Sequence, residues 1–199
     1  MCKFRKADHG IIATYQRYTE QEFAALVKVS DRRLELWDGQ IFDLSYASPT
    51  HRDIVRNLVE VLGKKLKPPG APYTSEPIRP AKTTGVFREP DLVVLCGPRK
   101  IETIHGLELT ANPVVVVEVI SPETETADRN EKLDEYRSIA TLREYLIVAQ
   151  RSANVTQWTK RGDVWRESAT VGLAASITLS LSPRITLALR DIYRGIAFK

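Results

Sequence analysis

The chain has 199 residues, a length that fits one domain with a sizeable core. Charged residues make up 27% and apolar residues 43%, ordinary values for a soluble globular domain. The net charge of +4 permits a polyanionic partner without demanding one, while two cysteines, Cys2 and Cys96, exclude a disulfide framework or a cysteine-rich zinc site.

No run approaches the roughly 18 apolar residues needed to span a bilayer. Met1–Tyr18 lacks the apolar core of a signal peptide, so the expected home is the reducing cytoplasm, with no membrane partner. Residues 1–18 mix charge with aromatics and read as an N-terminal extension, poorly ordered at its start, before a single domain over 19–199. Thr19-Glu-Gln-Glu22 is a capping box, and predicts a short helix with Phe23, Leu26 and Val27 on its apolar face. Arg33–Trp37 and Gln40–Leu44 flank Asp38-Gly39, a strong hairpin turn signal. Glu35 stands between Leu34 and Leu36, and alternation alone puts it on the opposite, solvent-facing side.

Ser48-Pro49 reads as a cap followed by proline at the first helical position. Apolar residues at helical spacing, from Ile54 to Leu66, then predict a helix over Pro49–Lys67. His51 lies in its first turn, and Arg52, Arg56, Lys64, Lys65 and Lys67 on its polar face. Such a face is usually only solvated, but it can also track phosphates. Pro68-Pro-Gly70 ends the helix, and Tyr73–Pro80 reads as extended.

Two buried strands follow, Glu89–Leu95 and Asn112–Ser121. Gly97–Ala111 between them reads as a polar connection with a short helix or turn near Ile101–Leu107. Each strand carries one acid where the pattern predicts core, Asp91 and Glu118. A buried carboxylate is costly without a partner, a hydrogen-bond network or a metal. Alternation puts Val114, Val116, Glu118 and Ile120 on one face, and Asp91 with Val93 and Leu95. If the strands are neighbours, the two acids meet at one end of the sheet. Their repulsion then favours a cation between them, and one or two carboxylates with several waters is the usual Mg²⁺ arrangement. The competing reading is that each acid pairs with a basic neighbour.

After Ser121-Pro122 a helix is expected, with Asp128, Lys132 and Tyr136 on one stripe bordering an apolar side of Leu133, Ile139 and Ala140. An ordinary Asp–Lys helix pair explains that stripe equally well. Arg143–Ala149 reads as a strand, Asn154–Lys160 with Val164–Ser168 as a hairpin, and Ile185–Leu189 as a last strand before a helical turn over Asp191–Ile196. A nucleotide-binding glycine loop, His-rich zinc spacing and a nucleophile elbow are all missing.

Together, Glu35-Leu-Trp-Asp-Gly39, Ser48-Pro-Thr-His51, Pro90-Asp91-Leu-Val-Val, Val117-Glu118-Val-Ile-Ser-Pro-Glu-Thr124, Asp128…Lys132…Tyr136 and Arg143-Glu-Tyr-Leu-Ile-Val148 resemble the Uma2 family of the PD-(D/E)XK nuclease superfamily, from about Tyr18 to Ile192. The resemblance implies an α/β (α+β) fold with a restriction-endonuclease-like core, a mixed central β-sheet flanked by helices. It also implies an Mg²⁺-dependent endonuclease, Mn²⁺ substituting, that cuts nucleic acid, DNA being the expected partner; a homodimer is expected because cutting both strands of a duplex needs two sites. Asp91 and Glu118 match the metal-binding acids, and Glu35 the upstream acid. His51, Ser121, Asp128 and Tyr136 would support those ligands or orient substrate, although a simple turn or helix cap accounts for Ser121 as well. The superfamily lysine belongs two residues after the acid, where this chain has Ile120. Lys132 is the candidate to replace it. Without a lysine at the site, the chain would be a degenerate nuclease fold, a nucleic-acid-binding or protein-interaction module that does not cut.

Overall fold

The computed structural model describes residues 4–7, 10–13, 16–44, 47–80, 85–120 and 132–198. Its centre is a six-stranded mixed sheet in the order β12-β11-β10-β9-β6-β5. The strands are β5 (Ala71–Tyr73), β6 (Leu92–Leu95), β9 (Val115–Ile120), β10 (Glu144–Ala149), β11 (Asn154–Arg161) and β12 (Val164–Val171). Only β9 and β10 pair in parallel, and the other neighbours are antiparallel. All residues of β6 and β9 are buried, as continuous Val/Leu/Ile runs require of strands covered on both faces.

One face is covered by helix α2 (Pro49–Lys65). Ser48 caps it by accepting from the His51 N–H, and Ile54, Leu58, Val61 and Leu62 pack onto Leu92, Val94, Val115, Val117 and Val119. The hairpin β13 (Ser176–Leu179) and β14 (Ile185–Ala188), with the turn α4 (Leu189–Ile192), completes this layer. The other face carries α3 (Leu133–Arg137), whose Leu133 and Tyr136 pack with Ile139 and Leu142 against Val93, Val116, Ile120, Tyr145 and Ile147. Glu118 therefore shares the α3 face, as alternation predicts. Val114 departs from it: placed just before the strand, it packs with the α2 face.

A second sheet, all antiparallel, has the order β1-β2-β4-β3, from β1 (Phe4–Ala7), β2 (Gly10–Ala13), β3 (Leu34–Trp37) and β4 (Gln40–Asp43). Asp38 and Gly39 both take positive φ in the predicted β3–β4 turn. The strands β1 and β2 were not expected, because each is only four residues long, too short for a period to show. Helix α1 (Glu20–Val27) starts at the expected capping box. It buries Phe23 and Ala24, whereas Leu26 is exposed, so its apolar face is rotated from the expected one. Ile101–Leu107 is not helical: β7 (Ile101–Ile104) and β8 (Leu107–Thr110) form a hairpin around His105-Gly106, both at positive φ. The register puts Ile101 opposite Thr110 and Thr103 opposite Glu108, a period of two that a polar composition disguised.

Candidate functional site

The chemistry-bearing residues gather where β6 begins. Its ladder with β9 pairs Leu92 with Val117 and Val93 with Val116. The residue before Asp91 is Pro90, which has no N–H to donate, so the ladder ends at its mouth. Continuing the register by one residue sets Asp91 beside Glu118, the separation of a cross-strand pair. Beyond Val117, β9 has lost its β6 neighbour, and the Asp91 carboxylate takes the next inward N–H: Val119 N donates to Asp91 Oδ2 at 2.8 Å.

The same Oδ2 lies 2.9 Å from His51 Nε2, on the first turn of α2. With Nε2–H donating, His51 Nδ1 is buried without a hydrogen-bond partner among the described residues. Arg33 approaches Asp91 Oδ1 to 3.8 Å, while its Nε donates to Glu89 Oε1 at 2.6 Å. Burial pushes the Asp91 carboxyl up, but His51, the Val119 N–H and Arg33 outweigh it, so its pKa lies below the ordinary value.

Glu118 is 5% exposed. Its Oε1 accepts from Tyr136 Oη at 2.7 Å and from Lys132 Nζ at 3.1 Å. Residues four apart on a helix share a face, so one stripe brings both donors to one oxygen. Burial, then Glu118 and Glu35, push the Tyr136 hydroxyl well above its ordinary range, which keeps it a donor. Lys132 thus reaches the acid although Ile120 occupies the usual lysine position. Ile120 itself is buried among Leu133, Tyr136 and Ile139.

Glu35 overturns the solvent-facing expectation: it is 2% exposed. Glu35 and Leu36 point to opposite faces of β3 and both are buried, so the two faces are both interior. Glu35 Oε1 accepts from the Glu89 N–H at 3.0 Å and lies 3.8 Å from Lys132 Nζ, and Oε2 accepts from Arg88 at 3.0 Å. Arg88 in turn donates to both oxygens of Glu135, at 2.7 and 2.9 Å. Burial opposes ionisation of Glu35, yet Lys132 and Arg88 hold its pKa below the ordinary value. The site is a chain of alternating charge: Glu135, Arg88, Glu35, Lys132, Glu118.

Asp91, Glu118, Lys132, Glu35, His51 and Tyr136 therefore meet at one end of the sheet. Ser121 and Asp128 lie outside the described residues. Sequence reasoning passed over Arg33, Arg88 and Glu135. The available signal was a run of charge, Arg88-Glu89, set directly between apolar segments.

Two carboxylates offer hard oxygens to a divalent cation, with Arg33 beside Asp91 and Lys132 on Glu118. Among the described residues no three His, Cys, Asp or Glu side chains gather into a metal cage. This donor set fits Mg²⁺, which keeps several waters and takes one or two protein carboxylates.

The fold matches a crystal structure described as a "putative nuclease belonging to DUF820" from Anabaena variabilis, with a TM-score of 0.70 and 15% identity, over 90% of this chain and 99% of that one. Two uncharacterized Synechocystis proteins are each 27% identical: slr1290, over 96% of this chain and 98% of its own length, and sll1609, over 85% and 97%. Residues 20–190 match the family Uma2, described as "Putative restriction endonuclease". The chain belongs to the Uma2 family.

Proposed function

We propose that this chain is an Mg²⁺-dependent endonuclease that hydrolyses phosphodiester bonds in DNA, with Mn²⁺ as a substitute. The observation that carries the reading is the meeting of Asp91, Glu118 and Lys132 at the mouth of two adjacent strands. Asp91 and Glu118 are the residues that would hold the cation. When bound, it polarises the phosphate and lowers the pKa of a water. Lys132 adds positive charge where the transition state becomes more negative, and Arg33 adds it from the Asp91 side. His51 and Tyr136 fix the orientation of one acid each. Glu35 acts through Lys132, since both its oxygens already accept hydrogen bonds. Supporting roles for Ser121 and Asp128, which lie outside the described residues, are part of the proposal. Cleavage of both strands of a duplex takes two such sites, so the proposal includes a homodimer.

One observation favours a second reading: Ile120 has the place of the superfamily lysine, which suits a module that binds without cutting. Plasmid nicking with Mg²⁺ or Mn²⁺ decides between them. The endonuclease reading expects nicking by the wild type and its loss in Asp91→Ala and in Glu118→Ala. A wild type inert on several DNA substrates supports the binding module, and activity unchanged in both variants moves the site elsewhere.

A further inference from the structure

Beside Asp91 opens a groove of about 620 Å³, between the outer face of α2 and the segments around β4 and β5. Its walls are of two kinds. Leu44, Val55 and Val59 give an aliphatic floor, while Arg33, Arg52 and Arg56 supply cations along its length. The catalytic end is Asp91 with His51, and the hydroxyls of Thr74 and Ser75 stand opposite α2. Arg52 donates to the Ala47 carbonyl at 2.8 Å, and Arg56 pairs with Asp53 at 2.9 Å while remaining 67% exposed. Glu60 marks the far end, where Lys64 and Arg194 neutralise it.

Resting on the nuclease reading, we infer that this groove receives one unpaired nucleotide beside the scissile phosphate, so the favoured substrates carry a single-stranded segment. A duplex is about 20 Å across and cannot enter a concavity of this size, whereas small-ligand sites of roughly 300–1,000 Å³ are sized for single nucleotide-like molecules. A paired base offers no free face to an aliphatic floor, and an extruded one does. The arginines supply what the flanking phosphates need, and Arg33 joins the groove to Asp91. Val55 and Val59 are half-buried against the core, and a duplex lying across the sheet end would use the arginines while leaving the exposed remainder of these two and of Leu44 uncovered.

Binding without catalysis tests this. Fluorescence anisotropy in EDTA compares a labelled blunt duplex of two separate, fully paired strands with the same duplex carrying a short single-stranded tail. The wild type should bind the tailed form about threefold or more tightly, less than a base stacked on an aromatic ring gains, because the floor is aliphatic. Val55→Phe, which fills the floor, should remove that preference and leave the blunt duplex unchanged. Arg52→Ala with Arg56→Ala should weaken both and reduce the salt slope by about two, one for each phosphate contact. Equal wild-type affinity for the two forms, no binding of either, an equal loss for both in Val55→Phe, or an unchanged salt slope would each overturn the inference. The wild-type comparison is decisive even if Val55→Phe fails to fold. A protein that prefers the tail but nicks nothing keeps the groove and loses the catalytic reading. One that nicks in Mg²⁺ without a tail preference loses the groove alone.

Discussion

Glu118 and Glu144 stand on adjacent parallel strands, both buried, at opposite ends of one sheet. Their surroundings differ in kind. Glu144 accepts from Gln157 at 2.7 Å and from the Ser180 N–H, neutral donors that close around it. Burial pushes its pKa up despite those bonds. Glu118 instead has Lys132 on one oxygen, with Asp91, Arg33, Glu35 and Arg88 grouped nearby. A structural carboxylate needs only hydrogen bonds. Several acids held ionised among cations cost far more to assemble, and that cost is typical of a site built for chemistry.

The contrast makes graded predictions. Asp91→Ala and Glu118→Ala should lower nicking by more than about a thousandfold, beyond the effect of a single lost charge donor, while Glu144→Gln leaves it within about twofold. Arg88→Ala should destabilise the fold by about 3–5 kcal/mol in urea titration, because Glu35 and Glu135 are left buried without their partner. Lys132→Ala should slow nicking about 10²–10³-fold, and Lys132→Arg should restore part of it, a recovery that a purely structural lysine would not show in rate alone.

The smallest effects concern pH and have opposite signs. The Asp91 pKa is lowered in the fold, so its contribution to stability exists above about pH 4 and is lost as pH falls through the folded-state value. The Glu144 pKa is raised, so its contribution is complete below about pH 4 and is lost as pH rises through the folded-state value. Urea titrations across that range should therefore show the wild-type advantage over Asp91→Asn shrinking toward acid, and that over Glu144→Gln growing. Parallel curves would erase the distinction between the two ends.

Much of the site was legible because its signal is local. An acid inside a Val/Leu/Ile run is anomalous in any fold, and both Asp91 and Glu118 announce themselves that way. Lys132 and Tyr136 were legible as a helical stripe, though not their shared target. Glu35 was misjudged because alternation alone does not show that both faces of a strand are covered, and here Arg88, Glu89 and Lys132 close over the Glu35 face. The charge run at Arg88-Glu89 was a signal passed over, but the pairing of Arg88 with Glu135 was invisible because it joins residues 47 apart, a distance only tertiary structure closes. Glu144 stood at the start of a predicted strand, where an acid ordinarily meets water. The β7–β8 hairpin was missed because polar side chains hid its register.

Manganese binding followed by electron paramagnetic resonance addresses the two acids without reference to any substrate. The account predicts Mn²⁺ bound by the wild type and by Glu144→Gln, with binding abolished in Asp91→Ala and in Glu118→Ala. Equal binding by all four proteins, or none by the wild type, would contradict it.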